Sequence, residues 1–215
     1  MIPVTLRLEP NNFNENVRIP GQNFLARFPN PTKDDWKKRG KKIWQRASKQ
    51  LRDEYNKICA YSAIWVPSGE KSIDHFIPRS ADKTLAFEWS NFRLCLDIIN
   101  QYKSSKTILD PFKIGANWFV IDFDLNLVRP NKENEELDSD LLAEIEDTIT
   151  KLQFNEYILQ QRRLHWIHAY YKGMPATIEG LRRKAPFIAY ELERQGLVEE
   201  IKVKHENFLR DTGKI

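Results

Sequence analysis

The chain has 215 residues, of which 30% are charged, a net charge of +4, and six Trp, seven Tyr and twelve Phe; this is enough apolar volume for one sizeable core and too little length for several domains. No stretch reaches the roughly 20 apolar residues of a membrane span, and the start MIPVTLRLEPNNF lacks a basic region running into an apolar one, so a cytoplasmic protein without membrane association is expected. The only cysteines, Cys59 and Cys95, exclude both a disulfide scaffold and a four-thiolate zinc site.

The first 32 residues are rich in Pro and Asn and read as an extended arm wrapping a core, with Thr32 or Asn30 placed to cap the next element. From Lys33 to about Ile58, Trp36, Ile43, Trp44, Ala47, Leu51, Tyr55 and Ile58 recur at helical spacing and predict one helix with a single buried stripe. Its other faces carry nine cations from Lys37 to Lys57, either a solvated surface or a phosphate-contacting one. Beyond residue 107, NWFVIDFDLNLVRP predicts a hairpin over about 117–129 that turns near Asp124. The remainder reads as helical. Ser139 or Asp138 is placed to cap DLLAEIEDTITKLQF, Asn155 to cap EYILQQRRLHWIHAYYK, and Gly173 to stop it. Further helices are predicted at about 177–184, 186–195 and 197–209, separated by Pro186 and Gly196.

Eight carboxylates between Glu133 and Asp147 form an acidic block that repels a phosphate backbone; it is either an ordinary solvated face or a docking surface for a basic partner protein. His165 and His168 share a helix face, but no carboxylate at a matching offset completes a zinc arrangement, so packing is their expected role.

The chemistry-bearing segment is residues 59–107. SIDHFIPRS, residues 72–80, sets Asp74 beside His75 and closes on Pro78; Asn91, Asn100 and Lys103 come after it. In order and approximate spacing this resembles the HNH endonuclease signature, over about 45 residues from Cys59 to Lys103. The resemblance implies a ββα-metal finger: a strand over 71–77, an irregular loop through Glu88, Asn91 on or beside a second strand, and a helix from about Leu94 to Lys103. It further implies that Asp74 and Asn100 hold one Mg²⁺ or Mn²⁺ through hard oxygen atoms, with His75 as general base. Asn91 would bond backbone across the loop and Lys103 would contact a phosphate oxygen, while Lys37, Lys38, Lys41, Lys42, Arg79, Arg93 and Lys106 would contact DNA. Neighbours in a regular strand point to opposite faces, so Asp74 and His75 act together only where the strand ends or bulges; Phe76-Ile77-Pro78 supplies that break.

Many HNH proteins also carry two Cys-x-x-Cys pairs around a structural zinc. Here the first reads CAYS, ending on Ser62, and the second is replaced by Leu96 and Ile99, so no structural zinc is expected. Apolar packing would take its place, each buried aliphatic stabilising by roughly 1.5–3 kcal/mol. More widely, ICAYS, AFEWSNFRL and ILDPF with a helical tail resemble stand-alone bacterial HNH proteins, including those that act beside an ATPase in anti-phage systems such as Septu; this implies a companion ATPase and a defence role.

The expected architecture is therefore α+β and mostly helical, a ββα-metal finger embedded in a helical body with an additional short hairpin. Residues 1–58 form the arm and basic helix, 59–107 the catalytic core and 108–215 the hairpin and helical C-terminal region, all within one compact domain. The expected function is divalent-metal-dependent hydrolysis of DNA phosphodiester bonds. Its rival is a catalytically silent or partner-activated module that binds nucleic acid or protein with the same fold.

Overall fold

Phe13, Val17, Gly21 and Phe24 lie at helical spacing within the Asn- and Pro-rich opening, and all four are buried. That stripe makes the opening helical rather than extended, correcting the expected arm: a wide turn over Asn14–Arg18 leads into α1, Ile19–Arg27. Pro20, which has no N–H to donate, stands just after the wide turn, where the ladder changes pitch. The structure, a computed structural model, describes residues 1–175, 177–201, 207, 210 and 211. It is a mostly helical α+β fold with two two-stranded antiparallel hairpins. The chain divides into two compact units, one of Thr5–Cys59 with Val66–Thr107, the other of Met1–Val4, Ala60–Trp65 and Ile108–Ile215.

In the first unit, Thr32 opens the predicted basic helix with a capping box, its hydroxyl accepting from Asp35 N while Asp35 accepts from Thr32 N. The rod beyond it changes pitch repeatedly: α2 is Lys33–Asp35, a wide turn spans Trp36–Gly40, α3 is Lys41–Trp44, a tight turn spans Gln45–Ala47, and α4 is Ser48–Glu54. It ends before Ile58 because Asn56 and Lys57 take left-handed φ values of 51° and 62°. Gly40 lets the rod pass close to its own rings, since a Cβ there would lie 2.6 Å from the Trp36 ring.

Strands β1, Lys71–His75, and β2, Phe92–Leu96, pair antiparallel with Asp74 opposite Arg93 and His75 opposite Phe92. Helix α5, Asp97–Lys103, follows β2 directly. It starts three residues later than predicted because Leu94, Cys95 and Leu96 still pair with Ile73, Ser72 and Lys71. Leu96 and Ile99 are fully buried, as are Cys59 and Cys95. Around the hairpin the core is aromatic: Phe13 meets Trp89 and Phe92 edge-on, and Phe24, Trp36 and Trp44 gather on Phe87.

In the second unit, β3, Phe119–Asp122, and β4, Leu127–Pro130, form the predicted hairpin, with Asn126 at φ 54° in its turn. Asp138 caps α6, Ser139–Lys151, accepting from Leu141 N at 2.8 Å. Asn155 does not cap α7, Tyr157–Tyr171; its amide instead clamps both backbone groups of Val128, at 2.8 and 2.9 Å. Gly173, at φ 78°, follows the end of α7, and Gly196, at φ 68°, follows the end of α9, Pro186–Arg194, which comes after α8, Ile178–Arg182. Most of the helix predicted over 197–209 lies outside the described residues. Buried Glu191 accepts from Ile121 N and from Arg194, tying α9 to β3. The carboxylates of the acidic block are all exposed. Among the described residues, no helix is long and apolar enough to cross a membrane.

Gly21 packs so tightly that an added Cβ would fall 2.1 Å from Phe87 Cγ. Gly21→Ala is expected to destabilise the first unit by about 1–3 kcal/mol through overpacking, despite the better helix propensity of Ala. A thermal melt showing equal or greater stability would refute this packing account.

Candidate active-site cleft

Three segments of the first unit wall a cleft of about 1290 Å³: Asn30–Ser48 along the rod, Lys71–Lys83 through β1 and the loop after it, and Asp97–Ser105 on α5 and its end. Asp74, His75 and Asn100 all line it. Asp74 and His75 can share one cleft because β1 ends at His75.

His75 is held edge-on against Trp44 at 4.8 Å and Phe92 at 5.4 Å. Its Nε2 lies 2.9 Å from the Ala86 carbonyl oxygen. A carbonyl only accepts, so Nε2 carries the hydrogen and Nδ1 is left with the lone pair. Burial, then the charges of Arg79 and Lys103, hold the imidazole pKa down to about 3, so the ring is neutral across the physiological range.

Asn91 fixes the segment that orients this ring. Its Oδ1 accepts from Ile77 N at 2.8 Å, its Nδ2 donates to the carbonyls of Ile77 and Leu85 at 3.1 Å each, and its own carbonyl accepts from Phe76 N at 2.9 Å. One buried amide thus ties both ends of the loop that carries the Ala86 carbonyl.

Lys103 reaches back from the last turn of α5 to the end of β1, where its ammonium donates to Asp74 Oδ1 and to the His75 carbonyl, each at 3.1 Å. Lys103 is 0% exposed and Asp74 2%. Lys103, expected to contact a phosphate oxygen, here turns its ammonium to a carboxylate and a carbonyl inside the fold and does not line the cleft. Asn100, one turn earlier on α5, donates from Nδ2 to Ser72 Oγ at 2.7 Å and to the Ile73 carbonyl at 3.5 Å. Because that carbonyl can only accept, the amide is oriented with Oδ1 as its remaining end.

A carboxylate and an amide oxygen lining the same cleft form a hard donor set of the kind that suits Mg²⁺ or Mn²⁺ completed by water or phosphate oxygen atoms. Among the described residues, no group of three His, Cys, Asp or Glu side chains is placed to hold a metal.

The expected DNA-contacting cations separate into distinct groups. Lys37, Lys41 and Arg79 line the cleft. Arg79 is half-buried with its guanidinium over the Trp36 ring at 4.9 Å and the Trp44 ring at 4.7 Å. Lys38 pairs with Asp34 outside the cleft, and Lys42 and Lys106 are exposed but do not line it. Arg93, expected among the DNA contacts, is 2% exposed, donates to the Ser90 and Phe92 carbonyls, and lies over the Phe76 ring. Trp36 and Trp44 as cleft walls and Ser72 as the anchor of Asn100 were not read from sequence. The Trp36-Gly40-Trp44 spacing is the signal that carried the first. In the second unit, His165 meets Trp166 edge-on and His168 stacks on Tyr171.

Lys103→Met removes the ammonium beside a buried carboxylate and is expected to destabilise by about 3–5 kcal/mol, whereas the Asp74→Leu/Lys103→Met pair recovers most of that loss in urea titrations. Equal destabilisation by single and double variants would show that the ion pair does not act as a unit. Between pH 3 and 6.5 the unfolded chain binds a proton at residue 75 that the folded chain excludes, so stability rises with pH across that window. His75→Asn is expected to flatten the slope of unfolding free energy against pH there; an unchanged slope would assign it to other groups.

No family model, curated protein or solved structure matches the chain, and the chemistry of the cleft rests on its own side chains.

Proposed function

We propose that the cleft is the active site of an HNH-type, divalent-metal-dependent endonuclease that hydrolyses DNA phosphodiester bonds, with β1, β2 and α5 as its ββα-metal finger. The observation that carries this reading is the convergence of Asp74, His75 and Asn100 on one cleft, with the imidazole oriented through Nε2 by the Ala86 carbonyl so that Nδ1 keeps its lone pair. Asp74 and Asn100 would hold one Mg²⁺ or Mn²⁺, which supplies positive charge for the phosphorane-like transition state and the departing 3′ oxygen. His75 takes the proton of the attacking water at Nδ1. Its depressed pKa keeps it unprotonated before substrate arrives, and the negative phosphate beside it then favours the imidazolium that forms. Asn91 positions the loop, and Lys103 holds the carboxylate and the end of the strand in register.

A second reading, a catalytically silent or partner-activated binding module, draws on the Lys103–Asp74 ion pair, which already satisfies one carboxylate oxygen. A companion ATPase and a role in anti-phage defence belong to the first reading, and the exposed carboxylates between Glu133 and Asp147 offer a basic partner a surface.

With Mg²⁺ or Mn²⁺, the purified chain is expected to cleave DNA, and His75→Ala to reduce the rate by about a hundred- to ten-thousand-fold in protein that circular dichroism shows to be folded. Equal cleavage by wild type and variant, or cleavage undiminished by chelator, would refute the assignment. Cleavage by neither protein, despite DNA binding, would favour the silent or partner-activated module.

A further inference from the structure

We infer that the cleft takes an unpaired polynucleotide strand rather than a duplex; this rests on its reading as a phosphodiester site. The groups that would act on phosphorus are recessed, with Asp74 2% and His75 8% exposed between the rod and the loop after β1. A duplex presents each phosphate on a stiff convex surface, so delivering one to that floor means driving both strands between the walls. A single strand bends and enters alone.

The charge pattern on the rod agrees. Lys33, Lys37 and Lys41 line the cleft at four-residue intervals and are exposed, and their ammonium groups make no ion pair or hydrogen bond with a described residue. On the same rod, Lys38, Arg39 and Lys49 turn elsewhere and each pairs with a carboxylate, of Asp34, Asp35 and Asp53 respectively. Three of the rod's uncompensated cations therefore stand in a row along one wall of the cleft. The row's steps of roughly 6 Å per four helical residues form a single track suited to successive phosphates of one chain.

Arg79 adds the feature that a paired strand would not use. Its guanidinium plate, backed by Trp36 and Trp44, lines the cleft without a hydrogen bond or ion pair to a described residue. A plate of this kind accepts a splayed base by stacking, with little regard to sequence. Paired bases, turned inward and already stacked, leave it unused.

The test is binding in EDTA, where cleavage is silent. Fluorescein-labelled 20-mers of single-stranded DNA, the same sequence as duplex, and single-stranded RNA are titrated by anisotropy across a salt series. The single strands are expected to bind at least about tenfold more tightly than the duplex, with a log–log salt slope near −2 from three phosphate contacts. Lys37→Gln/Lys41→Gln should make that slope shallower by about 1.4, while Lys49→Gln leaves it unchanged. The DNA and RNA arms distinguish the source of the strand. Equal or tighter duplex binding, no binding of single strands, or a slope indifferent to Lys37 and Lys41 would overturn the inference. Failure here alongside His75-dependent cutting of duplex DNA would leave the nuclease reading standing; the expected binding without cutting under any divalent cation would do the reverse.

Discussion

The Lys103 ammonium, shared between the Asp74 carboxylate and the His75 carbonyl, is the interaction on which the first unit depends. It joins the last turn of α5 to the end of β1 and sets two adjacent residues into one cleft. Ions this deeply buried survive only as a pair with good geometry, because each alone would face a desolvation penalty of several kcal/mol. A strand terminus would otherwise be free to fray. Locked from below by Lys103 and from the side by the amide of Asn91, this one holds an imidazole in a single tautomer.

Burial around that imidazole works with charge rather than against it. Trp44 and Phe92 exclude water, and Arg79 and Lys103 add positive potential, so the ring stays neutral and available as an acceptor. On the proposed function, an arriving phosphate would relax that repression of protonation and favour the imidazolium.

The aromatic wall links folding to this chemistry. Phe24, Trp36, Trp44 and Phe87 form part of the core, yet Trp36 and Trp44 also carry Arg79 at the cleft edge. Gly21 and Gly40 are small because those rings must close over the helical backbone. The helical opening therefore supports the wall against which the loop after β1 is arranged, and it contributes through packing rather than through any residue lining the cleft.

Local signals determined much of this protein from sequence alone. The apolar period of 33–55, the Thr32 and Asp138 caps, the 119–130 hairpin, and the order of Asp74, His75, Asn91 and Asn100 depend on neighbours a few residues apart, where backbone geometry follows side-chain chemistry directly. The helix over 14–27 was hidden because Asn and Pro weigh against helix locally, and only the long-range burial of Phe13, Val17 and Phe24 overrides them. Tertiary structure alone decided where the charges went. Lys103 and Arg93 read in sequence like Lys37 and Lys41, but whether a cation is buried against a carboxylate or carbonyl, or left facing a cleft, is set by how the hairpin and α5 close on one another.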